Sequence, residues 1–411
     1  MSMKFRSSRA DRTLGRLILF GALLAAAACS GPDERAEGDA AILEDALEWV
    51  GRIPDGEVPS DYILANPRMS VALEPGGDLL ILDEDWIKVY DSDGRPRTRF
   101  GGPGDGPGEL RMARSLFQSP SGYLTAFGGM FGFTGHVFRP DRSYVASRDF
   151  MSRPPVFPQL EKRNLRTGRP WDIYAIDDHR WVYAIEASDR DRNLREHLEL
   201  FLLLDAPDSV TVVADYPRTD MVVGERISYG MPSLGWLYFA LLPDDRVAWC
   251  HTFHDVDFDS EPATYSIRIM DLRSGARSVI RHPFERTPLV WTPRASESLR
   301  ERNPEQYSWM VALDRKAEQR YIDQKFEAPI RGLVSDGRFL FVMTCVTKDT
   351  TYTLVDVFDT SDGEYLSSVW LQGALLIRDG FLYQTNNYRV SGEEPMVNRY
   401  RLRPEVYGRR R

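Results

Sequence analysis

From residue 69 onward, short apolar runs alternate with clusters of turn formers. Met69–Leu73 leads to Gly76-Gly77, Leu79–Leu82 to Asp83-Glu84-Asp85, and Trp86–Tyr90 to Asp91-Ser-Asp-Gly94, before a last run ends at Phe100. Runs of four to eight β-branched, aromatic and aliphatic residues bounded by Gly, Pro and Asp predict strands joined by tight turns. The same rhythm returns at Leu116–Phe150, Trp171–Tyr216, Trp236–Pro283, Gly332–Leu366 and Ala374–Leu402. Four antiparallel strands per ~35–50 residues is the period of a propeller blade. The predicted fold is therefore an all-β propeller of six four-stranded blades. Five or seven blades stay open, because the third and fourth units are poorly marked.

The sixth unit runs out of chain after about three strands. Leu47–Ile53 (Leu-Glu-Trp-Val-Gly-Arg-Ile) is the candidate closing strand, since closure removes the open edges that would template aggregation. One segment, residues 293–326, has helical spacing instead, with start signals at Ser296-Glu297 and a run at Met310–Ile322. It predicts one or two helices inserted between blades four and five.

Ahead of the repeats, Lys4, Arg6, Arg9, Arg12 and Arg16 precede the apolar run Leu17–Ala28, and Cys29 follows directly. A basic start, a short apolar run and small residues at a cleavage point define an export signal. The apolar run is shorter than the ~20 residues of a spanning helix. A Cys at this place resembles the lipobox, which implies cleavage before Cys29 and lipidation of its thiol. Ala26 stands where a lipobox usually has Leu, so an ordinary cut after Ala28 remains the alternative. The expected organisation is a signal at 1–28, a tether at 29–44, a propeller at 45–403 and a basic tail at 404–411. The expected location is the bacterial cell envelope, on the periplasmic or outer-surface side.

Charge narrows the partners. The chain carries 52 Lys+Arg against 61 Asp+Glu. Removing residues 1–28 takes away five basic groups and one acid, leaving 47 against 60, a formal charge of −13. Such a field repels nucleic acid, so no nucleic-acid partner is expected. The tail Arg409-Arg410-Arg411 reads as a solvated end. Cys250 and Cys345 lie in apolar runs and are expected as two buried free thiols.

The segment Ile87–Leu110, with Val89-Tyr-Asp-Ser-Asp-Gly-Arg-Pro96 and Phe100-Gly-Gly-Pro-Gly-Asp-Gly-Pro-Gly-Glu-Leu110, resembles the NHL-repeat pattern. In particular it is similar to six-bladed propeller lipoproteins of environmental and gut bacteria, and residues 352–366 match in part. The resemblance implies the fold and a surface location, and no settled activity.

Candidate chemistry is sparse. The glycines of 101–108 lack the Lys-Ser/Thr of a phosphate loop and are followed by Glu109-Leu110, so they read as an interblade connector. His251, His254, Asp255, Asp257 and Asp259 form the densest set of metal-type donors. Their spacing resembles the start of a calcium loop but has Ser260 and Ser266 where Gly and Glu belong, so a solvated hairpin tip is the stronger reading. No catalytic residue and no cofactor is implied. The 9 Trp, 18 Tyr and 20 Phe predict bulky packing between blades or a groove for a ligand. Two functions follow: a membrane-anchored binding or scaffold module for a protein, peptide or glycan, or a metal-dependent hydrolase or lyase of the gluconolactonase or amidating-lyase kind with its site in the central channel.

Overall fold

The repeat folds into six antiparallel sheets of four strands, one carrying a short fifth strand. The computed structural model describes residues 42–408 apart from 74–76, 129–133, 151–154, 190–197, 219–220, 224–227, 231–234, 290–314, 317, 320–321, 350, 373–375 and 386–393. Blade one is Pro67–Leu73, Leu79–Asp83, Trp86–Tyr90 and Pro96–Gly101; blade two is Ser115–Gln118, Leu124–Gly128, Thr134–Phe138 and Tyr144–Asp149. Blade three is Leu165–Ala175, Trp181–Asp189, Leu198–Ala206 and Ser209–Pro217. Blade four is Leu237–Leu242, Arg246–His251, Ala263–Asp271 and Arg277–Phe284, with Val256–Asp257 paired onto its third strand. Blade five is Ile330–Asp336, Phe339–Lys348, Tyr352–Asp359 and Tyr365–Gln372. Blade six is Leu376–Arg378, Phe381–Thr385, Val397–Leu402 and, from the other end of the chain, Leu47–Ile53.

The closing strand lies where the sequence placed it. It pairs antiparallel with Val397–Leu402, from Leu47↔Leu402 to Ile53↔Val397, with a register shift between Trp49 and Gly51. The ring is sealed by six buried apolar clusters, one at each blade junction. The junction between blades six and one uses Ile53, Leu79, Ile81, Tyr90, Tyr383 and Val397. The junction of blades three and four is built on Leu202, Leu237, Phe239 and Trp249. The aromatic richness is spent largely here, where wide wedge-shaped gaps need large side chains.

The acidic turns have a common cause. Asp91, Asp271 and Asp359 each end the third strand of a blade, and each accepts from the backbone N–H two residues on, at Asp93, Arg273 and Ser361. This local bond turns the chain within a few residues. The first hairpins of blades four and six are tight turns, with Asp244 and Asp245 at φ 61° and 55°, and Asp379 and Gly380 at 50° and 77°. Asp, Asn and Gly tolerate the left-handed region that such hairpins require.

The glycine-rich segment is a connector between blades one and two. Gly102 sits at φ +95°, and a Cβ there would fall 2.8 Å from the Trp86 ring. That ring is pinned by the Arg99 guanidinium 4.2 Å from its centroid. Gly102→Ala should lower stability by about 2 kcal/mol through backbone strain and overpacking, measured as a shift in urea midpoint. A midpoint equal to the parent's would show that the ring yields without cost.

Four expectations need correction or division. The tether ends earlier than residue 44: Leu43 bridges Val369 and Ala46 is buried, because blade five's outer strand offers free pairing groups there. The tail is docked up to Tyr407: Val406 is buried, its carbonyl accepts from the Ser367 hydroxyl (2.8 Å), and Tyr407 donates to Asp336 (2.6 Å). Arg409-Arg410-Arg411 lie outside the described residues. Cys250 is buried and Cys345 half-buried, and the two form no disulfide. Of the inserted segment, residues 315–316, 318–319 and 322–324 are helical, and all of 293–314 lies outside the described residues, as do the signal and Cys29.

Candidate ligand site in the central channel

The first strand of each blade faces the propeller axis. A cavity of about 220 Å³ lies among the first strands of blades two to six. Its wall is mostly apolar, with Phe117, Tyr174, Phe239, Leu333 and Leu376 among its lining residues. Three of these rings form a contiguous group: Tyr174 lies 5.0 Å from Phe117 and 5.4 Å, edge to face, from Phe239, measured between centroids. Gln118, Ser335 and Arg378 add polar groups toward the turn end of the strands. Two more cavities, of about 310 and 250 Å³, lie at that mouth between Ser121, Asp244, Asp245, Arg246, Arg378 and Asp379.

Most charges at the mouth are committed to holding blades together. Arg139 donates to Asp178 (2.8 Å), Arg180 to Asp245 (2.6 Å) and Arg246 to the Thr360 carbonyl (2.9 Å). Asp336 accepts from the backbone N–H groups of Asp379 and Gly380. Ser335 donates to the Leu241 carbonyl (2.7 Å), and Arg378 to the Ser119 carbonyl (3.2 Å). These bonds satisfy turn backbone that would otherwise be stranded at the edge of the core. They make the mouth a rigid polar rim around an apolar well, the arrangement usual for small-ligand pockets.

Asp172 is the exception. It stands on the innermost strand of blade three, in register with Ala184 and two residues before Tyr174 in a regular stretch. Its side chain therefore leaves the strand on the same face as Tyr174, which lines the cavity. The residue is half-buried, and no hydrogen bond or ion pair to it is found among the described residues. Burial pushes its carboxyl up to about 7. The Tyr174 hydroxyl is raised far from its ordinary range, by burial first and then by the nearby Asp172. A carboxyl without a partner in such a place is costly when ionised, which makes it a functional candidate. The sequence reading passed over it. Its signal was an acid inside the apolar stretch Trp171-Asp-Ile-Tyr-Ala-Ile176.

Of the five donors singled out from sequence, His251, His254 and Asp255 stay together, the two rings 4.7 Å apart, while Asp257 and Asp259 lie on the exposed turn. His251 is buried at the end of its strand, and its Nδ1 accepts from the N–H groups of Phe253 (3.2 Å) and His254 (3.1 Å). Burial, then the neighbouring His254, lowers it to about 3, so the ring stays neutral. His254 is exposed and stacks on Tyr216 at 5.8 Å. Asp255 is buried and accepts from the His251 N–H (2.9 Å), the Tyr216 hydroxyl (2.8 Å) and Arg268 (2.6 Å). Asp257 is exposed and caps the turn to Asp259 and Ser260, and Asp259 is exposed. Asp255 thus closes one end of the hairpin from inside, and the segment is not simply a solvated tip. Among the described residues no group of three His, Cys, Asp or Glu is placed to hold a metal ion.

The class of molecule is thereby defined: a six-bladed propeller with an apolar, aromatic-walled channel. No protein-family model matches the chain, and no curated protein matches it. Solved structures do. A protein from Bacteroides fragilis described as exported is 12% identical, with 88% of this chain and 97% of that one covered and a TM-score of 0.44. A member of the DUF4221 family from Bacteroides vulgatus is 12% identical over 88% and 99% of the two chains, with a TM-score of 0.45. A gluconolactonase from Xanthomonas campestris is 12% identical over 87% and 99%, with a TM-score of 0.39.

Proposed function

We propose that this chain is a binding module of the bacterial cell envelope, lipid-anchored through Cys29, which takes a protein, peptide or glycan at the mouth of its central channel. The observation that carries the reading is the channel itself: an aromatic-walled cavity opening through a rim most of whose charges are already paired. Such a rim contributes shape and hydrogen bonds, while the apolar well supplies the burial that drives association. The anchor rests on the residues of the export signal. Lipid chains contribute ~0.8 kcal/mol per buried CH₂, so more than one chain holds a protein stably at a bilayer.

The test uses the full chain and its Cys29→Ala variant. The parent should fractionate with membranes, and the variant should be recovered folded and soluble from the periplasm. The soluble form should retain specific members of a peptide or glycan array, and Phe239→Ala should abolish that retention with the melting transition still cooperative. A parent found wholly in the soluble fraction would refute the anchor. Array binding indifferent to Phe239 and to the rim would refute the channel site.

A further inference from the structure

The channel pairs two features that ask for the same ligand chemistry. One is the ring group of Phe117, Tyr174 and Phe239, which lines the cavity. The other is Asp172, which shares Tyr174's face of the innermost strand. Resting on the binding reading above, we propose that the channel recognises an organic cation, the ammonium of a lysine side chain or of an N-terminal amine, held between Asp172 and this aromatic wall.

The physical case is complementary charge. An aromatic ring presents its negative face to a cation within ~6 Å of its centroid, and several rings together make a cage. Aromatic cages alone accept any soft cation; a carboxylate beside them adds a full charge and a hydrogen-bond acceptor. Asp172 has both carboxylate oxygens to offer, since none of the described groups donates to it. The fully buried carboxylates among the described residues are all occupied. Asp83 holds Lys88 at 2.8 Å, Asp255 holds Arg268, and Asp356 accepts from Tyr265 and Ser368. Asp172, half-buried on the channel-facing side of its strand, has no such partner among the described residues and can offer its carboxylate to a ligand.

Among the described residues the one cationic side chain lining the same cavity is Arg378, at the turn end of blade six, and its guanidinium is already bonded to the Ser119 carbonyl. Phe239, Leu333 and Leu116 line the cavity three or four residues in from their own hairpin turns, and Asp172 stands at the matching level of its strand. An entering ammonium would therefore pass the rim before meeting the carboxylate. Desolvating an amine without a counter-charge is unfavourable, so neutral and anionic analogues of the same shape should be discriminated.

Three probes of one shape test this: phenethylamine, 2-phenylethanol and 3-phenylpropionate, titrated calorimetrically into the folded, soluble chain at about pH 8.5, where the carboxyl is ionised. The amine should bind about tenfold tighter than the alcohol, the worth of one charge pair, and the acid should bind more weakly than either. Asp172→Asn should bring amine and alcohol to equal affinity. Phe117→Leu, which keeps an apolar side chain but removes a ring, should weaken the amine by about two- to fivefold more than it weakens the alcohol. Equal binding of amine and alcohol by the parent, an amine preference that survives Asp172→Asn, or no amine binding at millimolar concentration would each overturn the proposal. In those cases retention on the peptide or glycan array decides the broader reading. Retention lost on Phe239→Ala leaves the channel a binding site for another chemistry, and absence of retention removes both.

Discussion

A chain beginning at Pro54 will not form a stable propeller, whereas one beginning at Ile42 will. The segment between them supplies the outer strand of blade six, paired from Leu47↔Leu402 to Ile53↔Val397. It also places Ile53 and Ala46 at 3% and 2% exposure. Each ladder hydrogen bond is worth about 1 kcal/mol net, and burying an isoleucine adds about 2–3 kcal/mol. The loss is thus comparable to the 5–15 kcal/mol that holds a typical domain together. It also leaves Val397–Leu402 as a bare edge, a template for aggregation. Circular dichroism and light scattering should show a non-cooperative, associating species, and a synthetic peptide of residues 42–53 added in trans should restore a cooperative transition. A chain from Pro54 that melts at the temperature of the longer one would show that closure is not needed for stability.

Replacing Asp172 with asparagine will stabilise the protein at alkaline pH, at a position where a polar substitution would ordinarily be neutral or harmful. The folded carboxyl sits at about 7 against an ordinary value of 3.8. A carboxyl raised by folding binds its proton more tightly in the native state than in the unfolded one. Stability is therefore unaffected well below pH 4, declines as pH rises from about 4 to about 7, and is flat above. At about 1.4 kcal/mol per pKa unit, the full penalty amounts to at most about 4 kcal/mol. The variant removes it, so its advantage should be largest at pH 8, less than half as large near pH 5, and absent near pH 3. Urea unfolding at the three pH values reads this directly. An advantage independent of pH would mean that the carboxyl is solvated and titrates normally. The direction matters for the site, because a channel that tolerates an unfavourable ionised group forgoes stability it could gain by losing the group. Such a cost is typical of positions kept for binding.

Most of the architecture was readable because its signals are local. Asp91-Ser-Asp-Gly94, Asp271-Leu-Arg-Ser-Gly275 and Asp359-Thr-Ser-Asp-Gly363 end strands through bonds made within four residues. The hydrophobic runs between such turns then have one period to adopt. The partner of the incomplete sixth blade was equally legible, since a propeller short of one strand must borrow it. The docking of Leu43 on Val369 and of Val406 and Tyr407 on blade five was not. Short apolar residues beside polar ones look the same in a tether or tail as in a docked segment, and only the neighbouring surface distinguishes them.

The functional residues divide along the same line. His251, His254, Asp255, Asp257 and Asp259 drew notice through density in sequence, yet strand alternation and burial send them to different environments. Asp172, Tyr174, Phe117 and Phe239 come from three consecutive blades and are neighbours because the innermost strands of those blades pack side by side around the axis. By itself the sequence determined most strands, their turns and the strand that seals the ring, because each depends on contacts a few residues apart or on an edge that must be paired; the count of six blades was settled by the sheets themselves. Tertiary structure alone decided which acid faces the axis without a partner, which charges are consumed at blade junctions and which ring faces line the channel. Those are properties of six strands far apart in the chain meeting at one axis.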